Sequence, residues 1–411
     1  MKDKEIKEIH VNGVSTSSWR TPPSPPSTGA RAGRGRMAAL FAAIALTAGA
    51  CGGGDDEPIE FASIPPASLN PDALGGSGGG DTSTGAAGAG EATGAGGSAG
   101  SGPVAPAGGQ VTCPEGGGIT VRNAGDLTAA LAAAEPGDII RMAPGRYTGD
   151  FKITKSGTEP SPIWVCGTPE AVIDGEDDAK YLLHLEKVSW VRVVGFSVRN
   201  GQKGVMADSV NHSVIASLHV SATGDEAIHL RTGSSDNLVV GNVIRDTGNR
   251  SEKFGEGIYI GSATSNWCEY TNCEPDRSDR NSVIGNDIAG TTSENIDIKE
   301  GTEGGIVSGN KLSGDAMVAT DSWIDVKGNG WLVEKNVGTQ DGGTVTDGIQ
   351  THVVEDGWGR KNIIRANTLT VNGEGFGVYI HKADETGNVV GCDNQVTGAA
   401  KGLSNVTCSG S

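Results

Sequence analysis

Short stretches of alternating apolar and polar residues recur through the C-terminal half of the chain. Six of them align, with starts 25 to 38 residues apart: 227–231, 257–261, 295–299, 323–327, 348–352 and 377–381. Each has an aliphatic residue at its second position, and all but one have another at the fourth. Alternation with a period of two predicts half-buried strands. Repetition at this spacing predicts a solenoid, in which each coil buries its apolar residues against the coils above and below.

A second repeat places an asparagine after another short strand in each coil. These asparagines are Asn242, Asn286, Asn310, Asn336 and Asn367. Asparagine tolerates the left-handed backbone of a tight turn, and stacked asparagines hydrogen-bond along a ladder, so we predict a structural column. With glycines at the corners and no helical repeat, the pattern predicts an all-β fold, a right-handed parallel β-helix of about ten coils. At about 4.8 Å per coil, the rod would be about 45 Å long.

The start of the repeat region carries a recognisable signature. Residues 126–134 predict a short amphipathic helix with Asp126 as its cap, placed to cover the open end of the solenoid. A Pro-Gly-Asp strand at 136–142 and an Ala-Pro-Gly-Arg-Tyr turn at 143–147 follow. This succession resembles the opening segment of the pectin-lyase-like β-helix superfamily. The resemblance extends from about residue 111 to the C-terminus and implies the same fold.

The first 110 residues have a different composition. Three arginines precede an apolar run at 37–47 and the sequence Ala-Gly-Ala-Cys51, so residues 1–51 are predicted to be an export segment. The last four residues resemble a bacterial lipobox, which implies lipidation of Cys51; an ordinary signal peptide is the alternative. Residues 52–110 are rich in Gly, Ala, Ser and Pro and predict a flexible tether. Residues 111–411 form the predicted β-helix domain.

These segments predict where the protein resides. We expect an exported protein of the cell envelope, lipid-anchored to the outer membrane or cell surface, or otherwise secreted. The apolar run is too short for a permanent membrane span, so membrane contact would come only through the lipid anchor. A monomer is predicted.

The cysteines fit an oxidising destination. If lipid occupies Cys51, six cysteines remain, an even number. We predict that Cys268 pairs with Cys273 inside a long loop, that Cys392 and Cys408 close the last coil, and that Cys113 ties the N-terminal end to Cys166. The loop, at about 262–280, interrupts the repeat and is predicted to wall a groove.

The formal net charge is −18. Such a field repels nucleic acid, because nucleic-acid binding depends on neutralising phosphates. It would also repel an acidic polysaccharide unless cations or a local basic strip intervene.

Between the apolar positions, two columns are predicted to face solvent on one strand sheet. One column reads His229, Tyr259, Asp297, Asp325, Gln350 and Tyr379, and the other reads Arg231, Gly261, Lys299, Lys327, His352 and His381. Like charges stand beside each other in neighbouring coils, which destabilises a sheet. Either attraction between the aspartates and lysines offsets this repulsion, or the aspartates bind a cation.

The cation hypothesis has a specific ligand set. Asp297 and Asp325 would hold Ca²⁺, with Glu300 or one of the acidic residues that precede the strands completing an oxygen cage. Those residues are Glu226, Glu256, Glu294 and Asp347.

This strip suits β-elimination of a uronate polymer. That reaction neutralises a carboxylate, removes the C5 proton and protonates the leaving oxygen. The cation would supply the first function. Lys299 and Lys327 would depress each other's pKa and supply the base, while His352, His381 or Tyr259 would supply the acid. Arg231 would clamp a neighbouring uronate, and sugar contacts are predicted for His229, Tyr259, Gln350, Tyr379 and His381.

One short segment adds a second resemblance. Residues 296–302, Ile-Asp-Ile-Lys-Glu-Gly-Thr, resemble the Ile-Asp-Ile-Lys-x-Gly-Ser stretch of pectate lyases. The chain lacks the Arg-x-Pro-x-x-Arg segment that carries the catalytic arginine of those enzymes. Lyases of other β-helix families pair a lysine with Ca²⁺, which matches these residues better.

The sequence therefore predicts a surface-tethered polysaccharide lyase that acts on an acidic, uronate-containing glycan with the assistance of Ca²⁺. Three alternatives use the same scaffold. A glycoside hydrolase would employ Asp297 and Asp325, and a uronate epimerase would share the proton abstraction without bond cleavage. A non-catalytic adhesion rod would only bind carbohydrate.

Overall fold

The computed structural model describes residues 111–342 and 344–410. Thirty short strands and a few short helices make up this part of the chain. The strands form three sheets, and every pair of neighbouring strands within them is parallel. The predicted parallel β-helix is confirmed.

The coils contribute strands to the sheets in turn. Sheet A contains Ile119–Val121, Ile139–Met142, Ile163–Cys166, Val191–Val194, Val214–Ala216, Leu238–Val240, Ser282–Ile284, Ile306–Ser308, Leu332–Glu334, Ile363–Arg365 and Val389–Val390. Sheet B contains Gly145–Thr148, Ala171–Asp174, Ser197–Gly201, His219–Thr223, Val243–Arg245, Asp287–Ala289, Lys311–Ser313, Val337–Thr339, Thr368–Gly373 and Gln395–Ala399. Sheet C contains Phe151–Ile153, Tyr181–Glu186, Lys203–Asp208, Ile228–Arg231, Ile258–Ile260, Ile296–Ile298, Ser322–Val326, Asp347–Thr351 and Val378–Ile380.

The six aligned stretches of the sequence are consecutive strands of sheet C. Their register is the predicted one, with Ile228, Ile258, Ile296, Ile324, Ile349 and Val378 as successive partners. These side chains are fully buried in one continuous core. The alternation fixes the register because a slip by one residue would expose every one of them.

A helix covers the N-terminal end, although its predicted cap was wrong. The helix spans Ala124–Ala133, and the cap is Asn123, whose side chain accepts a hydrogen bond from the Asp126 backbone N–H. Asp126 lies in the first turn, where a carboxylate favours the positive end of the helix dipole. Leu127 and Leu131 are buried in the solenoid core, so the helix covers the first coils.

The asparagine column is a continuous hydrogen-bonded ladder, as predicted. From Asn286 to Asn394, each Oδ1 accepts hydrogen bonds from the backbone N–H and the side-chain N–H of the asparagine one coil earlier, beginning with Asn242, at 2.9 to 3.0 Å. The left-handed residue is not the asparagine but the one before it. Three coils place glycine there, and two use Lys335 and Ala366.

All three predicted disulfides are present. Cys113 bonds to Cys166, Cys268 to Cys273 and Cys392 to Cys408. The remaining helices are short: 3₁₀ turns at Glu252–Phe254 and Thr264–Asn266, and α-helices at Trp267–Tyr270 and Ala383–Thr386. Within residues 111–342 and 344–410, no helix is long and apolar enough to cross a membrane.

The predicted export segment, lipidation at Cys51 and tether at 52–110 lie outside the described residues.

Candidate functional site

The predicted polar columns lie together on the outer face of sheet C. The pairing of Ile298 with Val326 and of Asp297 with Asp325 sets their side chains one coil apart, at about 4.8 Å. The expectation that this face is open to solvent was wrong for its centre. Asp297, Asp325 and Tyr259 are buried, because the polar side chains of neighbouring coils pack on one another and on the flanking turns.

Alternating charges hold the centre of this face. The Lys327 Nζ lies 2.7 Å from an oxygen of Asp297 and 2.7 Å from an oxygen of Asp325, and so bridges two coils. The Lys299 Nζ lies 2.5 Å from the other oxygen of Asp297. Attraction within and diagonally between coils therefore offsets the like-charge repulsion along each column.

These contacts overturn the prediction that the lysines depress each other's pKa. Burial alone would lower the pKa of Lys299, but the Asp297 carboxylate outweighs burial and raises it. The pKa of Lys327 is raised in the same way by Asp297 and Asp325, against burial and the repulsion from Lys299. Both side chains are therefore ammonium ions at neutral pH.

The acidic residues group differently from the predicted metal set. The carboxylates that lie within 4.8 Å of one another are those of Glu256, Glu294 and Asp297. Asp325 instead forms ion pairs with Lys327 and His352. The Glu300 carboxylate points to the inserted loop, where it accepts a hydrogen bond from the Thr264 backbone N–H at 2.6 Å. The predicted set of Asp297, Asp325 and Glu300 is thus not assembled in the described residues.

The carboxylate cluster fits a cation. Burial, together with the nearby Glu226 and Asp297 carboxylates, raises the pKa of Glu256 well above its ordinary value. Burial and Asp297 likewise raise the pKa of Glu294. One buried oxygen of Glu256 has no hydrogen-bond partner among the described residues. A cluster of carboxylate oxygens is the kind of donor set that Ca²⁺ prefers. A cation bound there would compete with the two lysines for Asp297.

Tyr259 is the aromatic residue at the centre of the site. Its ring centre lies 4.9 Å from the Lys299 Nζ and 4.3 Å from the centre of the His229 ring. Burial and the carboxylates of Asp297 and Glu256 raise the pKa of Tyr259 well above its usual value, so its hydroxyl stays protonated. No hydrogen bond joins this hydroxyl to another residue in the described part of the chain.

His229 is held in place by its neighbours. Its Nε2 donates to the Gly261 carbonyl at 2.9 Å, and its Nδ1 lies 3.3 Å from Glu226. The ring is buried, and burial lowers its pKa. Both ring nitrogens of His229 lie beside oxygens of the protein. The ring therefore packs against Tyr259 and is not positioned for the predicted contact with a sugar.

The C-terminal part of the strip is more open. His352 contacts Asp325 through Nδ1 at 2.8 Å, and its ring centre lies 5.6 Å from that of His381. Burial would lower the pKa of His352, but Asp325 outweighs it and raises the value. Gln350 is buried and donates to Asp347 at 2.9 Å, so it is not positioned as predicted for direct sugar contact. Tyr379 is half-buried, in contact with Phe376.

Arg231 belongs to a network that the sequence analysis missed. Its Nε donates to Asp208 at 2.7 Å, and the other Asp208 oxygen lies 2.8 Å from the His184 Nε2. The Tyr270 ring lies over the guanidinium, 3.9 Å from its central carbon. Asp208 is the register partner of Arg231, so extending the repeat one coil toward the N-terminus would have found it. Tyr270 lies in the inserted loop, where no repeat predicts its position.

Comparison with solved structures identifies the family. The crystal structure of an alginate lyase from Paenibacillus sp. strain FPU-7 superposes with a TM-score of 0.66 at 32% sequence identity, covering 71% of this chain and 99% of that one. The chain belongs to the same family of β-helical lyases. It is thus a member of the pectin-lyase-like β-helix superfamily, as its opening segment suggested.

Two other solved structures are more distantly similar to this chain. A pectate lyase matches at 15% identity with a TM-score of 0.48, over 68% of this chain and 72% of the other. An alginate lyase of the PL6 family matches at 19% identity with a TM-score of 0.40, over 67% and 40%. No family model and no curated protein sequence matches the chain. Family membership supports a lyase-type enzyme; what it cleaves is a separate question.

Proposed function

We propose that this β-helical lyase cleaves a uronate-containing polysaccharide by β-elimination on the outer face of sheet C, and that alginate is the first substrate to test. The observation that carries the proposal is the contact of Tyr259 with Lys299 beside Asp297, in a family with a solved alginate lyase. The group comprises a protonated hydroxyl, a basic nitrogen and fixed charges within one coil spacing.

Lys299 is better suited than Lys327 to meet the substrate. Lys327 uses two of its three N–H groups on Asp297 and Asp325, whereas Lys299 contacts Asp297 alone. Asp297 holds Lys299 as an ammonium ion in the free protein, so the proposed reaction requires Lys299 first to release a proton to solvent. The resulting amine then takes the C5 proton. The electron pair of that C–H bond forms the C4=C5 double bond, the C4–O4 bond breaks, and the Tyr259 hydroxyl protonates the leaving oxygen.

Positive charge must also stabilise the uronate carboxylate while C5 loses its proton. Lys327 supplies fixed charge one coil from Lys299, whereas Arg231, two coils away on the other side, would hold the carboxylate of a neighbouring sugar. A Ca²⁺ ion held by Glu256, Glu294 and Asp297 would supply further positive charge to that carboxylate. Glu256 and Glu294 are two of the residues that the sequence analysis offered in place of Glu300; the proposal leaves out Asp325.

The hydrolase alternative has less support. It needs one carboxyl group that holds a proton and a second that is ionised. Burial would raise the pKa of Asp325, but Lys327 and His352 outweigh it and lower the pKa, so this residue is ionised. Asp297 contacts two ammonium groups. Neither is placed to donate a proton.

Export belongs to the same proposal. Three disulfides support an oxidising compartment, and an acidic polysaccharide substrate would be met at or outside the cell surface. We therefore keep the cell envelope, with a lipid anchor at Cys51, as the proposed location.

The deciding experiment incubates the protein with alginate, polygalacturonate and a glycosaminoglycan and follows the ultraviolet absorbance of the new C4=C5 double bond. Elimination produces this absorbance together with new reducing ends. Reducing ends without absorbance would mean hydrolysis. Binding without either product would mean an adhesion module, and both results would overturn the proposal.

Variants then test the assigned roles. Lys299→Ala and Tyr259→Phe should each lower kcat by at least about a hundredfold, the usual scale for a lost acid or base. Lys311→Ala, at an exposed site on sheet B, is the control. A Ca²⁺ chelator should lower the rate of the wild type but not of Glu256→Gln. A fully active Lys299→Ala enzyme would remove that residue from the reaction.

A further inference from the structure

Arg231 is almost fully buried, and among its three side-chain nitrogens only Nη1 has no hydrogen-bond partner in the described residues. Its hydrogen bonds to Asp208 and Tyr181 use Nε and Nη2. Burial would lower the pKa of Arg231, but Asp208 outweighs it and raises the pKa. A guanidinium whose plane is fixed presents its remaining N–H groups to a carboxylate in a defined direction, which a mobile side chain does less well.

Tyr270 covers one face of this guanidinium. Its ring lies 3.9 Å from the central carbon, the distance of a stacked cation–π contact. The tyrosine comes from the helix Trp267–Tyr270 of the inserted loop and not from a coil of the solenoid. The loop therefore adds an aromatic surface to a residue of sheet C.

The loop is fastened to the turn that follows Arg231. The buried Asp276 carboxylate accepts hydrogen bonds from the backbone N–H groups of Thr232 and Gly233, each at 2.9 Å. It also accepts from the hydroxyls of the buried Ser262 and Ser278, at 2.7 and 2.8 Å. The base of the loop is therefore fixed directly beside the Arg231 strand.

Two further contacts fasten the part of the loop that carries Tyr270. The Trp267 Nε1 donates to the Ser262 carbonyl at 2.9 Å, which folds the short helix back on the start of the loop. The disulfide between Cys268 and Cys273 closes the segment around Tyr270. These contacts hold the loop in place more firmly than a simple connection between two strands requires.

We propose that Tyr270 is a positioning residue, which the inserted loop holds against Arg231 so that the guanidinium is oriented for a substrate carboxylate. The inference rests on the proposed function. Arg231 lies two coils, about 9.6 Å, from Lys299, so the carboxylate it holds belongs to a sugar beside the one that loses its proton. Tyr270 acts through Arg231 and affects substrate binding, not the chemical step.

The test compares Tyr270→Ala with Tyr270→Phe in the full chain. The alanine variant should raise KM for the uronate polymer about tenfold, the equivalent of one partly buried cation–π contact, with kcat nearly unchanged. The phenylalanine variant keeps the ring and should match the wild type. Glu274→Ala, an exposed position in the same loop, is the control for general disturbance of the loop.

A double-mutant cycle separates positioning from simple structural support. In an Arg231→Lys background, Tyr270→Ala should change KM less than twofold, because no guanidinium plane remains to be oriented. The Cys268→Ser/Cys273→Ser variant should raise KM in the same direction as Tyr270→Ala. A tenfold effect of Tyr270→Ala that persists in the Arg231→Lys background, or a fall in kcat alone, would overturn the inference.

Dissociation constants for a uronate oligosaccharide distinguish the two proposals. If the wild type binds the oligosaccharide without cleaving it, elimination is disproved and Tyr270 is judged by its effect on the dissociation constant. If Tyr270→Ala binds as tightly as the wild type while elimination proceeds, the positioning role alone is disproved. If the wild type neither binds nor cleaves, both proposals are disproved.

Discussion

Lys327 links two neighbouring coils through charge. It contacts Asp297 and Asp325 on adjacent strands, and all three side chains are almost completely buried. A buried ion pair adds little stability relative to apolar residues, but removing one partner leaves charge unpaired in the interior. Lys327 is therefore needed to neutralise Asp297 and Asp325, whether or not it takes part in the reaction.

Replacement of this lysine should be costly. Lys327→Ala should lower the free energy of unfolding by about 3 kcal/mol, because Asp297 and Asp325 would face each other with one ammonium group fewer. Denaturant titration measures the change. Lys311→Ala removes a largely exposed lysine 3.5 Å from Asp287 and should cost less than about 1 kcal/mol. Equal losses in the two variants would contradict this account.

His352 should contribute stability that depends on pH. Its pKa is raised above the ordinary 6.5 because the pairing with Asp325 outweighs burial; Lys327 opposes the shift, and Asp321 adds to it. Protonated His352 therefore stabilises the folded protein fully below pH 6.5, and this stabilisation is lost as pH rises through the raised pKa. His352→Gln should lower the free energy of unfolding by about 1 kcal/mol at about pH 5.5 and by less at about pH 9.

His381 provides a control of opposite sign. Burial, His352 and Lys382 lower its pKa, so its folded form resists protonation. Protonation of His381 therefore destabilises the folded protein, and this penalty develops as pH falls from 6.5 through the lowered value. His381→Gln should therefore change stability relatively little at alkaline pH and improve it at acidic pH. Parallel pH curves for the two variants would refute the pairing of His352 with Asp325.

At the scale of the repeating elements, the turn that precedes the asparagine ladder in each coil carries backbone strain that depends on its residue type. The residue before each ladder asparagine from Asn242 to Asn367 has positive φ, near +60° in Gly241, Gly285 and Gly309. Ala366 has φ of 52° at the corresponding position. A side chain there costs about 1 kcal/mol relative to glycine, since Cβ crowds the following carbonyl oxygen.

This difference predicts a stabilising substitution. Ala366→Gly should raise the free energy of unfolding by about 0.5 kcal/mol, after the greater flexibility of glycine in the unfolded chain is subtracted. Gly309→Ala should lower it by about 1 kcal/mol for the same steric reason. Thermal unfolding of the two variants measures both effects. A lower melting temperature for Ala366→Gly would contradict the steric argument.

At the scale of the whole molecule, the residues proposed to bind and cleave the substrate all lie on the solenoid. The residues assigned to catalysis and substrate binding lie between Asp208 and His381, on a stack whose core is closed by Leu127 and Leu131 at its N-terminal end. Each coil is stabilised mainly by its neighbours, so the stack must be intact for the site to form.

A protein made of residues 111–411 should therefore retain the elimination activity of the full chain. We expect kcat and KM within about twofold on a soluble substrate, because residues 1–51 are predicted to be an export segment and residues 52–110 lack the apolar side chains needed for a core. The control is the Leu127→Asp variant, which buries a charge under the capping helix and should reduce folding and activity together. Loss of activity on removing residues 1–110 would assign them a role in catalysis.

Sequence patterns alone were enough to predict the β-helix, the register of sheet C, the asparagine ladder and the three disulfide pairs. The fold, register and ladder depend on local rules: alternation assigns a residue to a face, and the repeat length assigns it to a coil. The same rules placed Asp297 beside Asp325 and Lys299 beside Lys327, because side chains on parallel strands keep the register of their backbones.

The sequence left open whether the aspartates pair with the lysines or bind a cation, and the folded molecule decided which contacts form. Lys327 lies between two carboxylates, which raises the lysine pKa that the sequence analysis expected to fall. Glu256 and Glu294 approach Asp297, and Tyr270 reaches Arg231 from a loop outside the repeat. Side-chain direction, burial and loop docking depend on every neighbouring coil at once, and charge responds to distances of a few ångströms that no spacing in the sequence encodes.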